Sequence, residues 1–233
     1  MIPLRDENPS LRPPVVTRVL IALNVIAFVY ELMLGPGLRG LFLSWGLVPA
    51  RITAALAGEG NLVPALATAL TSTFLHAGWL HLIGNMWYLW IFGDNVEDQL
   101  GHVRYLLFYI VAGLASGVLH VAFNRGSTIP TVGASGAIAG VLGAYLTLFP
   151  RARVITLVPL IVFFQVMSLP AVVVLGLWFV FQFFSGALAL AYTSGSTGGT
   201  AWWGHIGGFA FGVLFGRLLA LRPPQRSEAW LES

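Results

Sequence analysis

The stretch Gly133-Ala134-Ser135-Gly136 opens an apolar run that ends near Phe149 and holds no charged residue. Read as a helix at about 1.5 Å per residue, Ser135 to Phe149 is roughly 22 Å long, short of the ~30 Å hydrocarbon core of a bilayer. Within a membrane its first turn must therefore begin below the surface. That puts a serine hydroxyl at a helix N-terminus, where free N–H groups and the positive dipole end favour a developing negative charge. The plainer reading is a serine that bonds back to its own helix or packs against a neighbour. The rest of the chain decides between the two.

Of 233 residues, 57% are hydrophobic and only 9% charged, and the mean hydropathy is +0.83. That is too little charge to clothe a soluble domain of this size, so the class is a polytopic membrane protein. There are no cysteines, which excludes disulfides and thiolate metal sites. The cations are all arginine, and they flank apolar runs instead of clustering with exposed aromatics, which argues against a nucleic-acid partner. A lipid bilayer is the expected surrounding.

Residues 1–14 carry Arg5, Asp6, Glu7, Arg12 and four prolines, the composition of a polar arm without a core of its own. Val15 to Leu34 has the length of a retained span. Gly35 to Thr73 is apolar but broken by glycine and proline, so it cannot span and is expected at the interface. Further spans are expected at Phe74–Gly93, Tyr105–Phe123, the short Ser135–Phe149, Pro170–Ala191 and Ala201–Leu221. Asp94, Glu97, Asp98 and Arg104 mark a tight aqueous loop between the second and third. Pro159 and Pro170 divide Val154–Tyr192, leaving its first part as a loop or re-entrant segment. A Ser/Gly/Thr-rich turn at Thr193–Thr200 and a polar tail from residue 222 to 233 complete the chain.

Six spans put both termini on one side. That side carries Arg5, Arg12, Arg18, Arg104, Arg151, Arg153, Arg217, Arg222 and Arg226, against Arg39, Arg51 and Arg125 on the other. The asymmetry predicts cytoplasmic termini in a plasma or inner cell membrane. The serine end of the short fourth helix then faces outward.

The last span has Gly204, Gly208, Gly212 and Gly216 at strict four-residue spacing, and the fourth has Gly136, Gly140 and Ala144. Small residues at that interval let helix backbones touch, although the pattern alone argues only for packing. Here Ser135 adjoins the top of one stripe and His205 the top of the other. If the stripes face each other, hydroxyl and imidazole meet. His81 and Asn85, four apart on one face of the second span, can both donate hydrogen bonds and are costly in hydrocarbon unless turned inward. Two roles fit them: donors to an oxyanion with the Ser135 N–H, or a polar clamp between helices. His76 lies a little over one turn earlier, a candidate for the lining of a water cavity.

On these residues, Gly-Ala-Ser-Gly at 133–136, His81-x-x-x-Asn85, and His205 beside a glycine stripe, the region 15–221 resembles the rhomboid intramembrane serine proteases. The resemblance implies an all-α membrane protein. Its features would be a six-transmembrane-helix bundle, a short central fourth helix and an interfacial first loop. It implies a Ser135/His205 dyad, an oxyanion site including His81 and Asn85, and cleavage of transmembrane protein substrates near the outer membrane edge, without cofactor or metal. Span five and the loop before span six would be gate and cap. Where many members have a Trp-Arg pair in the first loop, this chain reads Pro64-Ala65-Leu66-Ala67. Where some stack an aromatic on the catalytic histidine, it has Ala139, so something else must orient His205; Trp202 and Trp203 are candidates, although an interfacial anchor is the plainer reading of both.

The expected chemistry is acyl transfer, with neutral His205 taking the Ser135 proton. Glu31, near the outer end of span one, is the only carboxylate available as a third member, and a snorkelling acid is its simpler reading. Two other classes compete. A non-proteolytic binder or chaperone of membrane proteins would keep the bundle and lose the dyad, and a small-solute transporter would usually show an internal repeat, which is absent here. No oligomeric state follows from the sequence.

Overall fold

The computed structural model describes residues 1–160, 163–192 and 201–221. The expected turn at Thr193–Thr200 and the tail from residue 222 onward lie outside the described residues. The chain is mostly helical: α1 (Val15–Met33), α2 (Leu38–Trp45), α3 (Pro49–Leu56), α4 (Leu62–Thr71), α5 (Trp79–Leu100), α6 (His102–Phe123), α7 (Ser135–Leu148), α8 (Ala171–Tyr192) and α9 (Trp202–Leu219). Among the described residues three of these, α1, α6 and α8, are long and apolar enough to cross a membrane by length and composition.

The expected aqueous loop around Asp94, Glu97 and Asp98 does not exist. All three carboxylates stay on α5, which turns into α6 only at Gly101, a residue at φ +74° where glycine avoids strain. The reason is visible at the start of α1. Glu97 accepts hydrogen bonds from the N–H groups of Val16 and Thr17, both at 2.8 Å, and from the Thr17 hydroxyl at 2.7 Å. A carboxylate on one helix thus satisfies the orphan donors at the positive end of another. His102 Nδ1 closes the cluster 2.6 Å from Glu97.

The same end of the bundle gathers the Asn8–Asn95 bond, the Leu11 N–H to Asp98 bond, and Leu221, whose N–H donates to the Gln99 carbonyl. The N-terminal arm and residue 221 are therefore on one side. The arm is also not a loose polar segment. Ile2–Asp6 forms β1, pairing antiparallel with β2 (Arg153–Leu160), which pairs in turn with β3 (Phe163–Pro170). The segment expected as a loop or re-entrant piece is this hairpin, so the fold is not purely helical. Its β-branched residues suit a pleated surface. Pro159 sits beyond Leu157, the last β2 residue paired with β1, where β2 has a partner on one side only.

The region after α1 is a set of short helices and not an irregular loop. Leu47, Ile52, Ala55 and Ala65 pack there into a small core of their own. The stretch Pro64–Ala67 is helical, within α4.

At the centre, α7 is buried along almost its whole length. Its 14 residues span about 21 Å. The glycine stripes do face each other: a Cβ on Gly208 would strike the Gly136 carbonyl, one on Gly212 the Gly140 carbonyl, and one on Gly216 would strike Ala144. Gly136 and Gly140 also lie flush against Ser116 and Ala112 of α6. The two helices touch backbone to backbone, which only small residues allow.

Candidate active site

Ser135 begins α7 immediately after a tight turn. Gly133 has φ +129°, a conformation that L side chains rarely adopt. A Cβ there would come within 2.7 Å of the His81 ring and 3.6 Å of Asn85 Nδ2. Both features require glycine. The first N–H groups of α7 have no carbonyl partner within their own helix, and the dipole of α7 adds positive potential at the same place.

The seam sets the serine opposite a histidine. His205, on the first turn of α9, is buried, and its Nε2 lies 2.7 Å from Ser135 Oγ. The register is fixed by the glycines one turn below, which brings the hydroxyl and the imidazole to hydrogen-bond distance.

The other ring nitrogen has a partner that sequence reading missed. His205 Nδ1 lies 2.8 Å from Oε1 of Gln182, a buried residue of α8. The expected orienters do less. Trp202 meets the His205 ring edge-on at 6.3 Å between centroids, and Trp203 instead stacks on Phe123 at 3.9 Å. Ala139 is fully buried beside the bare face of Gly208, in the α7–α9 seam. The signal for Gln182 was present: apart from Ser185 and aromatic rings, it is the only polar side chain in the apolar run 171–188.

His81 and Asn85 lie beside the Gly133 turn. The Ala77 N–H donates to His81 Nδ1 at 3.4 Å, which leaves the proton on Nε2, on the ring edge that faces Gly133. Asn85 Nδ2 is 2.9 Å from His76 Nε2. One amide hydrogen serves that bond, and the second is free for another acceptor.

His76 corrects an expectation. It is almost wholly buried and is not among the residues lining the cavity beside the serine. Its backbone N–H donates to Glu31 at 3.0 Å and its ring meets Asn85, which turns it into the protein. Glu31 is likewise no snorkelling acid and no third member for His205. It is 2% exposed and occupied with the His76 backbone.

A cavity of about 30 Å³ adjoins Ser135 and His205, walled by Ser72, Thr73, Ser116 and His120 among others. That is room for at least one water among hydroxyl and imidazole groups able to hold it. His81 and Asn85 are not among the residues that line this cavity; they lie against the Gly133 turn. His120 is held by Thr131 Oγ1 at 2.8 Å from its Nε2.

Comparison with known proteins gives a consistent picture. The family model described as Rhomboid domain matches residues 64–222. The chain is 33% identical over 161 residues to RHOMBOID-like protein 4 of Arabidopsis thaliana, covering 66% of this chain and 34% of that protein. It is 33% identical over 150 residues to Presenilin-associated rhomboid-like protein A, mitochondrial, of Danio rerio, covering 62% and 35%. Over a shorter stretch of 78 residues it is 41% identical to RHOMBOID-like protein 6, mitochondrial, of Arabidopsis thaliana, covering 34% and 25%. The matched region thus spans between a quarter and about a third of the length of these relatives.

Proposed function

Since the chain belongs to the rhomboid family, we propose that it is an intramembrane serine endopeptidase acting on transmembrane segments of other membrane proteins. One observation carries the reading: Ser135 Oγ and His205 Nε2 are 2.7 Å apart beside a polar cavity in a mostly apolar bundle. In this reading α1, α5, α6, α7, α8 and α9 form six membrane-crossing elements, α7 being the short one. The arginine-rich end, which holds the N-terminal arm, faces the cytoplasm of a plasma or inner membrane.

The chemistry follows from the donors and acceptors present. Ser135 Oγ attacks the scissile carbonyl carbon while its proton passes to His205 Nε2. Negative charge collects on the carbonyl oxygen beside the Gly133 turn, where the Ser135 N–H, His81 Nε2–H and the free Asn85 amide hydrogen can converge. The imidazolium then gives its proton to the leaving amine. A water from the cavity attacks the acyl-enzyme, with His205 again as base, and frees Ser135. Each oxyanion donor in such a site is worth roughly 10²–10³ in rate, which accounts for polar side chains kept at this depth.

A second reading, a membrane-protein binder without turnover, is favoured by relatives named for association with another protein. The intact pair of Ser135 and His205 weighs against it. In vesicles holding a single-span labelled substrate, Ser135→Ala and His205→Ala should each abolish cleavage. A fluorophosphonate should label the wild type and leave Ser135→Ala unmodified. Turnover surviving in either variant refutes the assignment.

A further inference from the structure

We infer that Gln182 is a positioning residue: its side-chain carbonyl holds the proton on His205 Nδ1, so that Nε2 presents a lone pair to Ser135. The inference rests on the protease reading for its kinetic part and on geometry alone for its structural part. A neutral imidazole carries one N–H, and which nitrogen bears it depends on what the other atom meets. Oε1 of Gln182 at 2.8 Å from Nδ1 demands a donor there, and the hydroxyl 2.7 Å from Nε2 is then free to donate to the ring. Were the amide turned to offer its NH₂, Nδ1 would have to accept. Nε2–H would then point at the serine oxygen, an arrangement with no base.

The choice of an amide has a physical reason. Gln182 is 7% exposed, and the α8–α9 seam that holds it is aromatic, with Trp178 and Phe179 of α8 meeting Phe209 of α9. A carboxylate in that setting carries a desolvation penalty of several kcal/mol, whereas a neutral carbonyl accepts the same proton without a buried charge. The bond also joins two helices, α8 and α9. His205 therefore keeps its tautomer only while α8 is docked.

The decisive variants are Gln182→Met, which keeps the length and removes the carbonyl, and Gln182→Glu, which keeps an acceptor oxygen at the same reach. Purified full-length proteins are compared by melting temperature, by kcat and KM on a single-span substrate, and by nitrogen NMR of ¹⁵N-histidine-labelled samples. The His205 signals are assigned by their loss in His205→Ala. The expected result is Nδ1–H in the wild type and a shift towards Nε2–H in Gln182→Met. With it come a fall in kcat of roughly tenfold, the scale of one neutral hydrogen bond, at unchanged KM, and recovery of most of that loss in Gln182→Glu. Nε2–H in the wild type overturns the inference even if no variant folds. So does an unchanged kcat and NMR spectrum in Gln182→Met, or a rise in KM alone. A wild type that does not cleave condemns the protease reading instead, and the NMR comparison still decides the role of Gln182.

Discussion

Two apolar helices, α7 and α8, lie against α9, and they are held there by opposite means. The α7 contact is backbone on backbone: Gly208 and Gly212 rest on the carbonyls of Gly136 and Gly140. The α8 contact is side chain on side chain, with Phe179 stacked on Phe209 at 4.7 Å and Gln182 bonded to His205 at 2.8 Å. Backbone contact leaves nothing to rotate, so it can fix a distance. Side-chain contact has torsional freedom, so it can set the orientation of a ring and can also release it. The molecule uses the first kind where oxygen must meet nitrogen, and the second where the ring must be turned.

The sharpest way to break this contrast is to put the same methyl group into the α7–α9 seam and onto α8. Gly212→Ala drives a Cβ into the Gly140 carbonyl, which cannot swing aside. It should cost about 3 kcal/mol of stability and separate Ser135 from His205, with cleavage falling at least as far as the melting temperature suggests. An unaltered melting temperature would mean that the two backbones are not in contact.

A smaller effect is expected where α7 is held by a side chain. Its last turn is anchored by Tyr145, whose hydroxyl donates to Asp6 Oδ2 at 2.6 Å and so ties α7 to β1. Burial pushes the Asp6 carboxyl up from its ordinary 3.8 to about 7, the Tyr145 bond opposing and the nearby Asp94 charge adding to the rise. The folded state thus holds a proton that the unfolded chain gives up sooner. This contribution to stability is complete below about pH 4 and is lost as pH rises through about 7. The wild-type melting temperature should therefore carry a component that falls between pH 5 and roughly 8, and Asp6→Asn should lack it. Parallel curves for the two proteins would show that Asp6 does not titrate there.

The smallest change completes the pair. Gly176 on α8 has nothing within 4 Å of where a Cβ would stand. Gly176→Ala should stabilise by up to about 1 kcal/mol through helix propensity alone, with cleavage unchanged. If it proves as harmful as Gly212→Ala, the Gly176 position does not face open space.

Some of this was legible in the residues and some was not, along a consistent line. The glycine period of four, with Ser135 and His205 at the head of each stripe, is a local regularity of single helices, and it placed the pair correctly. The boundaries of α7 and α8 followed to within a residue from apolar runs with clear breakers. Asp94, Glu97 and Asp98 misled, because charge in a window reads as water, whereas Glu97 is on a helix and faces the N-terminus of α1. Ile2–Asp6 misled likewise, since a strand of five residues has no identity until β2 lies beside it.

The sequence by itself determined that the chain belongs in a membrane, that α7 is too short to cross it squarely, and which hydroxyl and imidazole could meet. Each of these depends on composition, length or helical period, quantities that a single segment carries. Only the tertiary structure decided that Gln182 hydrogen-bonds His205, that Glu31 serves His76, and that residues 153–160 and 163–170 form two strands against the N-terminal arm. Those outcomes depend on which elements come together, and a polar group buried far along the chain takes whichever partner the packing brings within 3 Å or so.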